Sequence, residues 1–348
     1  MMSSLGAYSA WGERKERTDD HSIILLGTPF QFEALQQQAA SFPSPLPGFA
    51  NLIQKTIENC EKDAFTISHP RGRLSLEERT AIMGVLNVTP DSFSDGGKFF
   101  ASQEALRHAE EMMAAGADII DIGGESTRPG AEPVSLEEEL GRIIPVIKEL
   151  AENSSALISV DTYKAEVAEA ALETGAGMIN DISGLRADPD MPRLAARSEV
   201  PLVIMHMQGS PRDMQISPHY GDLMAEIALF LREGMELAIE AGVDEQRIII
   251  DPGIGFGKTL EHNLEIIERL GELRSLGRPI LIGTSRKSFI GKVLDRPVGE
   301  RLWGTAATVA LSIANGAKII RVHDVDQMRQ VAQMSDAVLK GKEVGNLE

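Results

Sequence analysis

The sequence predicts an α/β protein whose main domain is a (β/α)8 TIM barrel, preceded by an N-terminal extension of helices and a β-hairpin. From residue 81 onward, short β-branched runs alternate eight times with longer amphipathic runs. Eight such units in roughly 250 residues match the size and rhythm of this barrel. Polar residues also stand at the C-terminal end of nearly every short run. A Gly-Ala pair often precedes the next short run, where it suits the end of a helix.

An open, doubly wound sheet is the alternative arrangement of the same alternating pattern. Such a sheet gathers its binding residues at one switch point and often carries a complete Gly-x-Gly-x-x-Gly turn between a strand and a helix. No strand in this sequence is followed by that turn. Since polar groups decorate almost all of the strand ends, the closed barrel is favoured.

The overall composition excludes several classes of function. The 348 residues carry a formal net charge of -18, which argues against nucleic-acid binding because that needs a basic surface. A concentrated cationic pocket can still bind a small anion. No apolar run approaches the roughly 20 residues of a membrane helix, so no membrane association is expected. The first 20 residues contain no hydrophobic segment of the secretory type.

The chain has a single cysteine, Cys60. It excludes an internal disulfide and a metal site built from cysteines alone, and the cytoplasm is the expected location. We expect Cys60 to be a small buried apolar residue.

Residues 1–78 are predicted to form the extension, and residues 79–348 the barrel domain. The first 22 residues are polar and uneven, and no regular structure is expected there. Two helices are predicted near residues 30–40 and 49–60, separated by a segment whose three prolines forbid one continuous helix. The runs at 65–68 and 73–76 flank a turn and predict the hairpin.

The barrel elements follow in order along the chain. The predicted strands are 81–89, 118–124, 156–162, 177–183, 201–207, 247–253, 279–285 and 318–325. The predicted helices include 103–115, 135–153, 164–174, 222–241, 260–276, 302–315 and 327–340, in which apolar residues recur at helical spacing.

The strand ends of a barrel surround one mouth, so their polar residues are predicted to form one site. Asp161, Asn180 and Asp251 suit the hydrogen-bonding edge of a nitrogen heterocycle better than a transition metal. Met205 offers a polarizable floor for a ring, although ordinary barrel core explains it equally well. Each polar residue alone also fits a helix cap. Their shared position at the strand ends favours a binding site.

Cationic residues follow strands seven and eight. These are Lys287, Arg321 and His323, and barrels often bind phosphate at this place. Arginine also stacks on flat rings. A heterocycle with a pendant phosphate or diphosphate therefore fits both sets of residues.

The glycine-rich stretch 251–258 brings several of these functions together after strand six. Its glycines permit close approach of the backbone. Phe256 offers a face for a ring, and Lys258 a cation for an anionic group. A tight loop with an unpaired surface lysine is the alternative interpretation. The loops at 92–97 and 126–130 are rich in small residues and look able to close over a substrate.

Five blocks of the sequence resemble the dihydropteroate synthase family of pterin-binding enzymes. The similarity runs from about residue 81 to about residue 340, and the first two blocks together are highly specific. They are 83–97 (MGVLNVTPDSFSDGG), 123–131 (GGESTRPGA), 251–258 (DPGIGFGK), 283–288 (GTSRKS) and 321–323 (RVH). The extension lies outside them, and the resemblance implies nothing for it.

The resemblance implies a cytoplasmic, homodimeric transferase of folate biosynthesis and a sulfonamide target. The implied reaction condenses (7,8-dihydropterin-6-yl)methyl diphosphate with 4-aminobenzoate and uses Mg²⁺. Asp161, Asn180, Asp251 and Lys287 would hold the pterin, and Met205 and Arg321 would sandwich it. The diphosphate would be held by Asn87, Arg321 and His323. Asn87 would also lie near Mg²⁺. The residues implied for the aminobenzoate are Thr127, Arg128, Pro129, Phe256 and Ser288, with Phe93 and Asp95 on the first mobile loop.

The implied mechanism is dissociative substitution at the pterin methylene. Asp95, Asp161, Asp251, Lys287 and Arg321 are the residues expected to take part in catalysis. A pterin-dependent methyltransferase of the same fold is one alternative, and a non-catalytic pterin-binding protein is another. The cluster of Arg321 and His323 argues against the methyltransferase. The 302–315 and 327–340 helices are the candidate dimer faces.

Overall fold

The structure is a computed structural model that describes residues 8–13, 21–39, 41, 43, 46–89, 97–126 and 130–341. The chain divides into two compact units. One comprises Met1–Asp63 with Ser275–Gly277, and the other comprises Ala64–Arg274 with Arg278–Glu348.

Eight parallel strands close into a barrel in the second unit, which confirms the predicted fold class and excludes the open sheet. Each strand pairs with the next one along the chain, and the last pairs with the first. The strands are β5 (Ala81–Asn87), β6 (Ile119–Gly123), β7 (Leu157–Asp161), β8 (Met178–Asp181), β9 (Leu202–Met205), β10 (Ile248–Asp251), β11 (Ile280–Ile282) and β12 (Ala317–Val322). All eight fall within the predicted runs to within one residue.

Helices follow the strands around the barrel. They are α3 (Gly97–Ala114), α4 (Leu136–Asn153), α5 (Ala165–Thr174), α6 (Met191–Ser198), α7 (Leu223–Glu240), α8 (Leu260–Glu268), α9 (Ser288–Leu294), α10 (Leu302–Ala314) and α11 (Val325–Lys340). The two shortest, α6 and α9, had no counterpart among the predicted helices, because eight or fewer residues give too few turns for a periodic pattern. The predicted helix 260–276 is instead α8 followed by a 3-10 segment, Leu270–Leu276.

The predicted hairpin is present as β3 (Thr66–His69) and β4 (Gly72–Ser75), paired antiparallel. It belongs to the same compact unit as the barrel rather than to the unit of the first 63 residues. Ile67 and Leu76 are each 1 % exposed and lie in one apolar cluster with residues from all eight barrel strands. The hairpin therefore closes the core at the N-terminal end of the strands.

The first unit contains β1 (Tyr8–Glu13), β2 (His21–Leu26), α1 (Pro29–Ala39) and α2 (Leu46–Glu61). The two helices confirm the prediction for this region, whereas the antiparallel pair of β1 and β2 was not predicted. Leu35 of α1 is buried against Leu25, Phe32 and Ile53. Cys60 is exposed, so the expectation of a buried cysteine was wrong. In the described ranges, no helix combines the length and apolarity needed to cross a membrane.

Candidate active site

Polar side chains form one layer at the C-terminal ends of the barrel strands. Asn87 is level with Gly123, Gly123 with Asp161, and Asp161 with Asn180 across four neighbouring strands. On the other side, Asp251 of β10 is level with Met205 of β9. The register thus brings the residues that the sequence predicted for the ring to one mouth.

Asp161 is almost fully buried at the end of β7. Its Oδ2 accepts a hydrogen bond from Nη2 of Arg321 at 2.6 Å, and its Oδ1 is buried with no protein partner among the described residues. Burial raises the pKa of Asp161, against the opposing pull of Arg321 and with a further rise from Asp121. The second oxygen is therefore suited to a ligand donor.

Asn180 and Arg321 meet at a residue that the sequence analysis did not select, Asp121. Its Oδ2 accepts from Nδ2 of Asn180 at 3.0 Å and from Nε of Arg321 at 2.7 Å. Asp121 lies inside β6 rather than at its end, so a search of strand ends does not find it. The available signal was a carboxylate within the apolar run Ile119–Gly123.

Asp251 is 5 % exposed and accepts a hydrogen bond from the amide of Gly253 at 2.7 Å. Burial raises the pKa of Asp251 to about 6, while the Gly253 amide, Lys287 and Arg321 each pull it down. The carboxylate is thus held by its own loop on one side, and Lys287 and Arg321 lie near enough to affect its charge.

The glycine-rich loop requires its glycines. Gly253 has φ +68°, and a Cβ there would stand 1.9 Å from the carbonyl oxygen of His206. Gly257 has φ +63°, and a Cβ there would stand 2.4 Å from the carbonyl oxygen of Gln208. The backbone after β10 is therefore pressed against the backbone after β9, an approach that only glycine permits.

Both sequence interpretations of Lys258 were wrong, because it neither offers its charge to a ligand nor lies unpaired at the surface. It is 2 % exposed, and its Nζ lies 2.8 Å from Nδ1 of His206 and 2.9 Å from the carbonyl oxygen of Phe256. Burial lowers the pKa of Lys258 well below its ordinary value. Burial and the neighbouring Lys258 lower the pKa of His206 to about 2, so this imidazole is neutral. The pair fixes the loops after β9 and β10 to each other.

An apolar wall completes the mouth. Met205 and Phe256 lie in a buried cluster with Ile182 and Met214, separate from the barrel core. Nζ of Lys287 lies 4.3 Å from the centroid of the Phe256 ring. A flat ligand ring thus has an apolar surface beside hydrogen-bonding groups.

The predicted cations lie at the ends of β11 and β12. Burial and Arg321 lower the pKa of Lys287 to about 8, although Asp251 and Asp161 oppose this. The pKa of Arg321 is raised because its carboxylate partners outweigh burial. Burial and Arg321 lower the pKa of His323 to about 3, so His323 is neutral and can act as a hydrogen-bonding group. Its Nδ1 lies 3.0 Å from Oγ of Ser285.

Ser288 is exposed as the first residue of α9, directly after Lys287. The preceding loop is fixed by Arg286, which has φ +57° and forms an ion pair with Asp324. Nη1 of Arg301 donates to the carbonyl oxygens of Arg286 and Lys287 at 3.0 Å and 3.4 Å. These contacts hold Lys287 and Ser288 on a fixed backbone.

Five predicted site residues lie outside the described residues: Phe93, Asp95, Thr127, Arg128 and Pro129. The segment flanking residues 127–129 is well anchored. Nζ of Lys164 binds Oε2 of Glu125 at 2.7 Å, the carbonyl oxygen of Val134 at 2.6 Å and Oε2 of Glu139 at 2.6 Å. Glu125 also accepts from the hydroxyl of Tyr163. The network joins residues on both sides of this segment.

The possible metal ligands at the mouth fit an ion that binds together with the substrate phosphates better than an ion bound by protein side chains alone. Within the described parts of the chain, no group of three or more His, Cys, Asp or Glu residues could hold a metal ion. Asn87, the residue predicted to lie near the metal, is partly exposed and ends β5. One amide oxygen suits Mg²⁺, which usually takes one or two protein oxygens and completes its shell with waters and substrate phosphates.

Comparison with known proteins places the chain among relatives of one kind. The model of the pterin binding enzyme family matches residues 83–323. The chain is 52 % identical over 307 residues to the dihydropteroate synthase of a Synechocystis species, covering 88 % of this chain and 99 % of the relative. It is 53 % identical over 288 residues to that of Bacillus subtilis, covering 83 % and 97 %.

Solved structures agree with these sequence relatives. A Yersinia pestis dihydropteroate synthase in a sulfonamide drug complex superposes with a TM-score of 0.76 at 43 % identity, covering 80 % of this chain and 100 % of that one. A Xanthomonas albilineans dihydropteroate synthase with 4-aminobenzoic acid gives 0.73 at 44 % identity, covering 77 % and 96 %. An enzyme of Clostridium difficile in the presence of pteroic acid gives 0.72 at 49 % identity, covering 76 % and 98 %.

Proposed function

Because the chain belongs to the dihydropteroate synthase family of pterin-binding enzymes, we propose that it condenses (7,8-dihydropterin-6-yl)methyl diphosphate with 4-aminobenzoate. The chain is thus a transferase, with dihydropteroate and diphosphate as its products. Relatives solved with pteroic acid and with 4-aminobenzoic acid support small-molecule substrates of this kind.

The pterin is proposed to bind with its polar edge against Asp161, Asn180 and Asp251. Each presents an oxygen acceptor, and the first and third are buried carboxylates. Lys287, 4.3 Å from the Phe256 ring, adds a donor at the same side. Met205 supplies one face of the ring site, and the Arg321 guanidinium supplies the other. Asp161 supports this arrangement, because its buried Oδ1 has no partner among the described residues and would be satisfied by a ligand that donates to it.

The diphosphate is proposed to bind toward Arg321, His323 and Asn87. Arg321 carries the positive charge, while the neutral His323 donates a hydrogen bond. Asn87 would hold Mg²⁺ together with the diphosphate oxygens and water, and the ion would neutralise the negative charge of the leaving group. The fixed positive charge of Arg321 would stabilise the negative charge that develops on the diphosphate as it leaves.

The reaction is proposed to proceed by dissociative substitution at the pterin methylene. The carbon–oxygen bond breaks with its electron pair going to the diphosphate, so positive charge develops on the pterin. Asp251 stabilises that charge, as does Asp95 when its loop closes. The nitrogen lone pair of 4-aminobenzoate then forms the new carbon–nitrogen bond, and the amine loses its proton to solvent. The unprotonated aromatic amine is nucleophilic, so no general base is required.

The aminobenzoate is proposed to bind between Thr127, Arg128 and Pro129 on one side and Phe256 and Ser288 on the other. Phe93 would cover it from the first loop. Phe256 and Ser288 are the two members of this set that the structure describes, and both lie beside Lys287. That neighbourhood would place the amine next to the pterin methylene.

The observation that carries this proposal is that the residues proposed for the pterin edge are connected to Arg321, the cation proposed to bind the diphosphate. Arg321 binds Asp161 directly, at 2.6 Å, and reaches Asn180 through Asp121. The test is a turnover assay that measures diphosphate release. Release should require both the pterin diphosphate and 4-aminobenzoate. Turnover with either substrate alone, or a dependence on a corrinoid, would contradict the proposed reaction.

The chain is also proposed to form a homodimer through α10 and α11. Both helices expose large apolar side chains on their outer faces, which monomers rarely do over a contiguous patch. The dimer face is defined as Trp303, Leu311, Met334 and Val338, exposed by 80 %, 56 %, 66 % and 67 %. A second copy of the chain would cover this face by two-fold pairing.

A further inference from the structure

Asp121 stands at the centre of the site but takes no part in the proposed ligand contacts. Its side chain is fully buried within β6. One oxygen, Oδ2, accepts from Nδ2 of Asn180 at 3.0 Å and from Nε of Arg321 at 2.7 Å. The other oxygen, Oδ1, is buried and has no hydrogen-bond partner within the described part of the chain. Asp121 is thus the common acceptor of Asn180 and Arg321.

The contact with Asp121 decides which way the Asn180 amide faces. An ionised carboxylate accepts hydrogen bonds and cannot donate them, whereas an amide group has one accepting and one donating end. The donating end, Nδ2, must therefore face Asp121. The accepting end, Oδ1, is then directed away from Asp121. A neutral partner that could both donate and accept would allow either orientation.

Arg321 strengthens the same constraint. Its Nε is bound by Asp121 and its Nη2 by Asp161, at 2.7 Å and 2.6 Å. A guanidinium held at two of its nitrogens by two carboxylates on neighbouring strands keeps a fixed plane. Arg321 has only donors, so it uses the same Oδ2 of Asp121 as an acceptor that Asn180 does.

We propose that Asp121 is a positioning residue that fixes the Asn180 amide with its oxygen toward the ligand. The edge of the ring site then presents oxygen acceptors from Asp161, Asn180 and Asp251 together. Such an edge selects a heterocycle that offers N–H donors and rejects one that offers a lone pair at the Asn180 position, since two acceptors repel and neither is satisfied. This inference rests on the proposed function, because it assumes that Asn180 contacts the pterin.

The test is Asp121→Asn in the full chain, with two ligands measured separately by calorimetry. An amide at position 121 can donate or accept, so both orientations of Asn180 become possible while the shape is kept. Affinity for 6-hydroxymethyl-7,8-dihydropterin should fall about tenfold or more. Affinity for inorganic diphosphate should stay the same or rise, because a carboxylate that competes for Arg321 has been neutralised. A residue with only a structural role would lower both affinities together.

Ser159→Ala is the matched control. Ser159 is level with Asp121 on the next strand, is fully buried, and its hydroxyl has no hydrogen-bond partner in the described ranges. Its removal should leave both affinities within twofold of the parent. If the parent protein failed to bind the dihydropterin, the proposed function would be wrong. If the parent bound it and Asp121→Asn bound it equally well, the role of Asp121 would be overturned.

A second measurement covers the case in which Asp121→Asn does not fold. In the parent protein with ¹⁵N-labelled asparagine, the side-chain NH₂ of Asn180 should be protected from solvent exchange even without ligand. Its signal is assigned by its loss in Asn180→Ser. Addition of the dihydropterin should leave that protection in place. Exchange at the rate of an exposed asparagine would show that Asp121 does not hold the amide.

Discussion

At the scale of single residues, burial sets the charge of the ring site. Asp251 and Asp161 titrate above their ordinary range because they are buried, and Lys287 titrates below its ordinary range for the same reason. The carboxylates must be ionised to accept ring N–H groups, and Lys287 must be protonated to donate. If these residues bind the pterin as proposed, binding should be strongest between the pKa values of the carboxylates and that of Lys287.

The pH dependence of pterin binding follows from this. Affinity for 6-hydroxymethyl-7,8-dihydropterin should rise with pH through about 6 and about 7, as Asp251 and Asp161 lose their protons, and fall above about 8, as Lys287 loses its proton. Outside these limits the change should approach about tenfold per pH unit for each group. This ligand lacks phosphate, so calorimetry at a series of pH values reports the protein groups.

Lys287→Arg separates the two limbs of the profile. Arginine stays charged throughout, so the fall above about 8 should disappear while the acid limb set by Asp251 and Asp161 stays. Lys292→Arg changes an exposed lysine on α9, the helix that follows Lys287, and should leave the profile unchanged. An alkaline limb that persists in Lys287→Arg would assign it to another group.

Single residues also show how far sequence alone can predict a site. Asp161, Asn180 and Asp251 were predicted because parallel strands place their ends together, a rule that needs no side-chain detail. Asp121 and the inward turn of Lys258 were missed, because both depend on which way a side chain points inside a packed layer. Periodicity carries no information on that.

At the scale of elements, the strands and their closure into a barrel could be predicted, while the short helices could not. Long amphipathic runs gave α4 and α7 nearly to the residue, because the apolar face repeats over several turns. The helix α9 has seven residues and sits where the loop after β11 is fixed by Arg301, a tertiary contact that leaves no local pattern. The glycine-rich loop was recognised, but the close approach that requires its glycines appears only in three dimensions.

Gly253→Ala tests that close approach. The new Cβ would meet the His206 carbonyl oxygen at 1.9 Å, and the residue would keep a positive φ, so the free energy of unfolding should fall by about 1–3 kcal/mol or more. Urea unfolding measures the change. Gly141→Ala is the control, since Gly141 lies in α4 with nothing within 4 Å of its Cβ position. That variant should be stabilised by about 0.5–1 kcal/mol. Equal urea midpoints for Gly253→Ala and the parent would contradict the close approach.

At the scale of the whole molecule, two surfaces of the fold lead to predictions. The first is the proposed dimer face on α10 and α11. A carboxylate introduced there would have to be buried on association, so Leu311→Glu should convert a dimer into a monomer in light scattering after size-exclusion chromatography. Leu229→Glu changes a leucine exposed by 44 % on α7, outside the dimer face, and should remain a dimer. A monomeric parent protein, or a dimeric Leu311→Glu, would exclude this face.

The second is the N-terminal end of the barrel, which is covered by the hairpin of β3 and β4. This hairpin determines where a chain must start if the barrel is to be stable. The sequence grouped this hairpin with the extension because it is short and precedes the first βα unit. Ile67 of the hairpin and Leu76, directly after it, belong to the barrel core, however, and are each 1 % exposed. A chain that starts at Ala64 keeps both residues, and one that starts at Arg79 loses them.

Losing two buried aliphatic side chains of this size costs about 2–5 kcal/mol each, against a total stability of about 5–15 kcal/mol for an ordinary domain. The chain from Ala64 should therefore unfold cooperatively in urea and bind the dihydropterin. The chain from Arg79 should lack a cooperative transition, although every residue of the ring site is present. If both chains were equally stable, the hairpin would be an accessory to the barrel and the boundary would belong near residue 78, as the sequence alone suggests. The expected difference arises because a closed barrel exposes the apolar ends of all eight strands at its N-terminal side, and some part of the chain must cover them.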